Sequence, residues 1–190
     1  MTFEPVADTD ARLIRPVVHR DERGCFARTW CTEMFDRAGL AFTPRQGNSS
    51  LSTLRGTVRG MHFQRAPRPD AKVVRCSRGR IHDVIADLRP GSPTRGRTYA
   101  LDLAAETGVM LYIPGGFAHG FQTLADDTCV EYLMGEAYVA DLYDGFRYDD
   151  PALPIPWPEP VRAISDRDRD WPDLAPRTPW LADAMRAGAP

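Results

Sequence analysis

Seventeen prolines and fifteen glycines cut this 190-residue chain into short pieces, and that punctuation limits the folds open to it. The pieces between the breaks are rich in Val, Ile, Tyr, Leu and Thr. Lys72–Cys76, Arg80–Leu88, Thr98–Leu103, Val109–Ile113 and Thr128–Met134 are each the size of a strand. Turn residues bound them, as in Cys76-Ser77-Arg78-Gly79 and Pro114-Gly115-Gly116. Regular spacing of this kind predicts an all-β sandwich or barrel. One helix is expected near Cys31–Ala38, with Thr32 as its cap and Glu33 in its first turn. The length suits a single domain, placed at 1–175, followed by a Pro/Ala-rich tail at 176–190. Within that tail, Trp180–Arg186 reads as a short helix or a frayed end.

A formal net charge of −2 gives no electrostatic basis for binding nucleic acid or an anionic membrane. Any phosphate group must be met by a local cluster of arginines. The first residues lack a basic-then-apolar signal pattern, and no apolar run is long enough to span a bilayer. Cys25, Cys31, Cys76 and Cys129 contain no C-x-x-C pair, which argues against a disulfide framework or zinc knuckle and for free thiols in a reducing cytoplasm.

Strand alternation adds a clue about the interior. In Arg80–Arg89, Asp83 and Asp87 share a face with Ile81 and Ile85. A dry sandwich core tolerates such carboxylates only if they are paired, whereas a barrel with a wet, ligand-holding interior accommodates them.

The chain has four histidines, His19, His62, His82 and His119. A metal-binding barrel would present His-x-His with a later Glu and His. Here Gln64 stands two residues after His62, and glutamine is a poor transition-metal ligand, so no metal site is expected. His62 is open to two readings, a hydrogen-bonded core histidine or a general base oriented by a partner such as Asp168. Lys72, at the start of an apolar strand, either snorkels to solvent or aims a cation at a developing enolate oxygen. Tyr132 is either packing or a proton donor. Arginines recur beside glycines at Arg23-Gly24, Arg55-Gly56 and Arg59-Gly60, a weak sign of phosphate recognition.

Taken together, the ordered segments resemble the dTDP-4-dehydrorhamnose 3,5-epimerase family. The resemblance is carried by Asp21-Glu22-Arg23-Gly24-Cys25-Phe26, Gln46-Gly47-Asn48-Ser49-Ser50, Gly56-Thr57-Val58-Arg59-Gly60-Met61-His62-Phe63-Gln64 and Lys72-Val73-Val74-Arg75-Cys76. It continues through Asp83-Val84-Ile85-Ala86-Asp87-Leu88-Arg89, Ser92-Pro93-Thr94, Ile113-Pro114-Gly115-Gly116-Phe117-Ala118-His119-Gly120-Phe121, Asp149-Asp150-Pro151, Ile155-Pro156-Trp157-Pro158 and Ser165-Asp166-Arg167-Asp168. The match runs from about Asp21 to Trp171.

The resemblance implies a cupin double-stranded β-helix (jelly roll) with few short helices, without metal or cofactor, and usually a homodimer. It implies a nucleoside-diphosphate 4-keto-6-deoxyhexose as substrate and inversion at C3 and C5, beside the C4 ketone. By position it makes His62 the base, Lys72 the enolate stabiliser, Tyr132 the acid and Asp168 the carboxylate that orients the base. Arg23, Phe26 and Arg59 fall at sugar-nucleotide or phosphate contacts. Gln46, Asn48 and His119 fall at substrate contacts, and Tyr138 falls where an aromatic stacks on the nucleobase. Two departures stand out. Arg28 occupies a nucleotide-contacting position where many members carry a thymine-reading glutamate, and a guanidinium offers only donors. Leu133 replaces a common lysine. Inversion of a single carbon, or sugar-nucleotide binding without catalysis, are the alternative functions.

Overall fold

The computed structural model describes residues 1–174. The tail at 176–190, with its expected Trp180–Arg186 helix, lies outside the described residues. The described residues form two antiparallel sheets and one separate hairpin. The strands are β1 (Thr2–Pro5), β2 (Arg12–Arg15), β3 (Val18–Asp21), β4 (Gly24–Ala27), β5 (Gln46–Ser52), β6 (Val58–Gln64), β7 (Lys72–Arg78), β8 (Arg80–Asp87), β9 (Thr98–Ala104), β10 (Met110–Ile113), β11 (Phe117–Thr123), β12 (Thr128–Met134) and β13 (Tyr143–Gly145). The six-stranded sheet runs β1-β2-β10-β7-β12-β5, the five-stranded sheet runs β13-β6-β11-β8-β9, and among the described strands β3 pairs with β4 alone. Two short helices, α1 (Thr32–Arg37) and α2 (Asp166–Arg169), complete the described regular structure, apart from a 3₁₀ turn at Ala105–Thr107.

The five strand expectations fall on β7 to β10 and β12, the last without any shift and the others displaced by one or two residues at one end. The largest shift is at Cys76-Ser77-Arg78-Gly79. Strand β7 continues to Arg78, and the chain reverses at Gly79, whose φ of 78° is left-handed. A side chain there would run into the Thr128 side chain, so the reversal is left to glycine. Helix α1 forms where expected, but its cap position is Cys31, one residue earlier than Thr32, and no side chain caps it. Its anchor is instead Phe35, fully buried against Phe3, Phe42 and Tyr112 on the outer face of the six-stranded sheet.

Alternation along the strands divides the space between the sheets into two ends. Val74 and Cys76 of β7, Val130 of β12, Leu111 and Ile113 of β10, Ile81 and Ile85 of β8 and Phe117 and Phe121 of β11 meet in one buried apolar cluster. Continuing the same inward phase, β7 ends in Lys72 and β12 in Tyr132 and Met134, and these line a cavity instead. Asp83 and Asp87, on the face of Ile81 and Ile85, are both fully buried. Asp87 is satisfied locally by Arg89, Ser92 and Thr94. Burial pushes its carboxyl up, but these hydrogen bonds outweigh burial and hold it at about 2. Met61, Val84, Ala118 and Phe146 form a further cluster on the outside of the five-stranded sheet.

Candidate active site

The cavity between the sheets has a volume of about 500 Å³. Its first wall is strand β6, and a bulge there decides what the wall presents. Across the β6–β11 pair, His62 faces His119 and Arg59 faces Phe121, so Gly60 and Met61 together oppose the single residue Gly120. In a regular strand, residues three apart such as Arg59 and His62 would point to opposite faces of the sheet. With the bulge, both line the cavity, while Met61 is fully buried on the outer side. Only glycine fits at position 60. Its φ is 134°, and a Cβ there would lie 2.5 Å from the Gly120 Cα.

Asp168 arrives from the C-terminal side of the barrel, where Ser165 caps α2 by accepting the Asp168 N–H at 3.1 Å. Asp168 Oδ1 lies 2.6 Å from His62 Nε2, and Oδ2 accepts the Gly60 N–H at 3.2 Å. Burial pushes the Asp168 carboxyl up. Hydrogen bonding to His62, the His62 charge and bonds from Gly60 and Ser165 together outweigh burial, so the group sits below its ordinary value and is a carboxylate at neutral pH. A carboxylate only accepts, so in the neutral imidazole the proton sits on Nε2 and the Nδ1 lone pair is left for chemistry.

The opposite wall belongs to the six-stranded sheet and carries Lys72 and Tyr132. Lys72 is buried, paired with Asp70 at 2.6 Å, and its ammonium has no other partner among the described residues. Burial raises the Tyr132 hydroxyl above its ordinary value, with a smaller opposing effect from the Arg59 charge, so the phenol keeps its proton at neutral pH. On the first wall, His119 of β11 stands opposite His62 and is buried, with Nε2 2.9 Å from Asp83 Oδ2.

At the mouth, Arg59 donates to Ser52 Oγ and to the Leu51 carbonyl, both at 3.1 Å. Gln46 donates to Asn48 Oδ1 at 3.0 Å and accepts the Tyr138 N–H at 3.1 Å, which ties the Tyr138 segment to β5. The Tyr138 ring is half exposed and packs 5.3 Å, centroid to centroid, from Tyr143.

The structure therefore brings His62, Lys72, Tyr132, Asp168, Gln46, Asn48, Arg59, His119 and Tyr138 to one cavity. It does not bring Arg23, Phe26 or Arg28 there. All three belong to the β3–β4 hairpin or its exit: Arg23 pairs with Asp21 in solvent, Phe26 is 70% exposed, and Arg28 lies beside Phe26 and Met34 over a separate shallow depression. The cavity is also lined by residues to which the sequence assigns no role, among them Gln64, Asp70, Tyr143 and Arg167. The Arg167 guanidinium lies 4.6 Å over the Tyr143 ring and 5.1 Å over Trp171. Its place beside Asp168 was the one available signal. Asp70 and Tyr143 gave none, because neither sits in a recognisable motif.

Among the described residues no helix is long and apolar enough to cross a membrane. The dTDP-4-dehydrorhamnose 3,5-epimerase family model matches residues 7–176. A dTDP-4-dehydrorhamnose 3,5-epimerase from Sinorhizobium fredii is 40% identical over 175 residues, 92% of this chain and 90% of the relative. A dTDP-4-dehydro-6-deoxyglucose 3-epimerase from Streptomyces bikiniensis is 36% identical, covering 91% of this chain and 89% of that protein. The crystal structure of dTDP-4-dehydrorhamnose 3,5-epimerase from Bacillus anthracis with TDP and PPi bound superposes with a TM-score of 0.85 at 39% identity, over 90% of this chain and 99% of that one. With two antiparallel sheets in a cupin-type arrangement and a match along nearly its whole described length, the chain belongs to the dTDP-4-dehydrorhamnose 3,5-epimerase family of sugar-nucleotide isomerases.

Proposed function

We propose that this protein inverts C3 and C5 of a nucleoside-diphosphate 4-keto-6-deoxyhexose. The observation that carries the proposal is the pairing of walls: a histidine on one sheet, held by a carboxylate, faces a lysine and a protonated tyrosine on the other. A proton beside a ketone is too weakly acidic for an imidazole to remove unaided, and it becomes removable when a preorganised cation meets the developing enolate oxygen. In this reading His62 Nδ1 takes the proton, the Lys72 ammonium meets the oxygen, and the Tyr132 hydroxyl returns a proton from the opposite face. Asp168 stabilises the imidazolium that forms. Arg59 holds a phosphate at the mouth, Gln46, Asn48 and His119 contact the substrate, and Tyr138 stacks on the base.

The test is NMR of a nucleoside-diphosphate 4-keto-6-deoxyglucose incubated with the protein in D₂O. Deuterium is expected at both C3 and C5, and to disappear in His62→Ala. No incorporation at either carbon, across thymidine and uridine diphosphate sugars, would refute the proposal. A second reading, inversion of C3 alone, is favoured by similarity to the Streptomyces bikiniensis 3-epimerase at nearly the same identity. Incorporation and inversion at C3 alone would select it, since a small change of sugar pose decides which carbon meets the acid.

We further propose a homodimer. The β3–β4 hairpin pairs with no other described strand, and it exposes Phe26 together with Val17. A second copy would cover that surface and would offer Arg23, Phe26 and Arg28 a site that their own cavity does not. A monomer by sedimentation at micromolar concentration would remove this part of the proposal.

A further inference from the structure

Lys72 and Asp70 sit together in the cavity wall, with side chains 7% and 6% exposed. Asp70 belongs to the connection between β6 and β7, and its two oxygens have different partners. Oδ2 meets the Lys72 ammonium at 2.6 Å, and Oδ1 accepts the Gln64 N–H at 3.1 Å. Gln64 is itself clamped, donating to the carbonyls of Arg68 and Ala137 and accepting the Val139 N–H. Gln64 and His62 are two residues apart on β6 and share its inward face. One buried carboxylate thus links the strand of the histidine to the ammonium on the facing sheet.

We propose that Asp70 is the positioning residue for Lys72, fixing the ammonium in register with His62 across the cavity. Two properties of lysine make such a group necessary. Its charge is a point at the end of a flexible four-carbon stem, so nothing in the side chain itself sets its direction. A cation in a nearly dry wall also requires a counter-ion, or it withdraws to solvent or loses its proton. Asp70 meets both needs through one contact. The ammonium has no other partner among the described residues, so donors remain for an oxygen in the cavity. During turnover the ammonium is shared between the carboxylate and the enolate oxygen, and no proton leaves it.

This inference rests on Lys72 being the enolate stabiliser, and it deepens that assignment. The experiment measures deuterium exchange into the 4-keto sugar at saturating and limiting substrate for the unsubstituted protein and for Asp70→Asn. Asparagine retains an oxygen for the Gln64 N–H and removes only the charge. The expected result is a fall in kcat for exchange of about ten- to a hundredfold, with KM within about twofold, because the ground-state contacts lie elsewhere. An unchanged kcat, or a loss confined to KM or to Tm, overturns the proposal. If Asp70→Asn does not fold, Asp70→Ser is measured in its place under the same criteria. Failure of both to fold marks Asp70 as structural and also overturns it. Absence of exchange in the unsubstituted protein would instead count against the epimerase assignment itself.

Discussion

Gly60→Ala tests whether the β6 bulge is what assembles the site. The Gly60 φ of 134° lies in a region that L residues avoid, and holding alanine there costs about 1–3 kcal/mol. The added Cβ would lie 2.5 Å from the Gly120 Cα and 3.1 Å from the His119 carbonyl. Both are backbone atoms of the paired strand and neither swings aside, so overpacking adds about another 1–3 kcal/mol. For a chain of this size each kcal/mol lowers Tm by about 2–4 °C, so a fall of at least about 4 °C is expected. Activity should fall further than stability. The Gly60 N–H is a second donor to Asp168, and the neighbouring strand carries His119, so relief of the overlap displaces groups on both sides of the bulge. A displacement near 1 Å costs about a hundredfold in rate. Thermal unfolding by circular dichroism and deuterium exchange well below Tm give the two readouts. A variant that melts within about 1 °C of the parent and exchanges at the parental rate would refute the reasoning, because the bulge would then tolerate a side chain.

Asp168→Asn should lower kcat for exchange by about a hundred- to ten-thousandfold with KM little changed, since the amide no longer fixes the His62 tautomer; steady-state kinetics check this. Tyr132→Phe should still exchange a proton while completed inversion falls by about a hundredfold or more, read by comparing deuterated with inverted product in one NMR series. For Asp87, with a carboxyl depressed to about 2, the stabilising contribution is complete above pH ~4 and fades as pH falls from about 4 towards 2. Asp87→Asn should therefore lose roughly 2 kcal/mol at neutral pH and show a flatter stability profile below pH ~4, measured by urea unfolding across pH.

The features legible in the sequence are those fixed by local alternation and punctuation. Strands β7 to β10 and β12 follow from apolar runs between turn residues. The burial of Asp83 and Asp87 follows from their sharing a face with Ile81 and Ile85. What the sequence hides is set by pairing between distant segments. Counting by twos puts Arg59 and His62 on opposite faces, and only the mismatch with β11 at Gly120 reverses this. Asp70 became visible as a partner of Lys72 only once the loop between β6 and β7 was folded back onto β7. The hairpin holding Arg23, Phe26 and Arg28 carries motif residues in the right order, yet order along the chain does not say which cavity a hairpin reaches.

Asp168 lies beyond the last strand of either sheet, in a short helix held by the Ser165 cap, by backbone bonding beside Thr57 and Ala163, by its own bonds to Gly60 and His62 and by stacking of Arg167 on Tyr143 and Trp171. The segment that orients the histidine lies outside both sheets, so it is expected to open at a lower free energy than the barrel. Fraying of the 163–171 segment would leave both sheets closed and His62 without its carboxylate. On warming, loss of chemistry should precede loss of β-structure, and on refolding or synthesis the sheets should close before the protein acquires a working base.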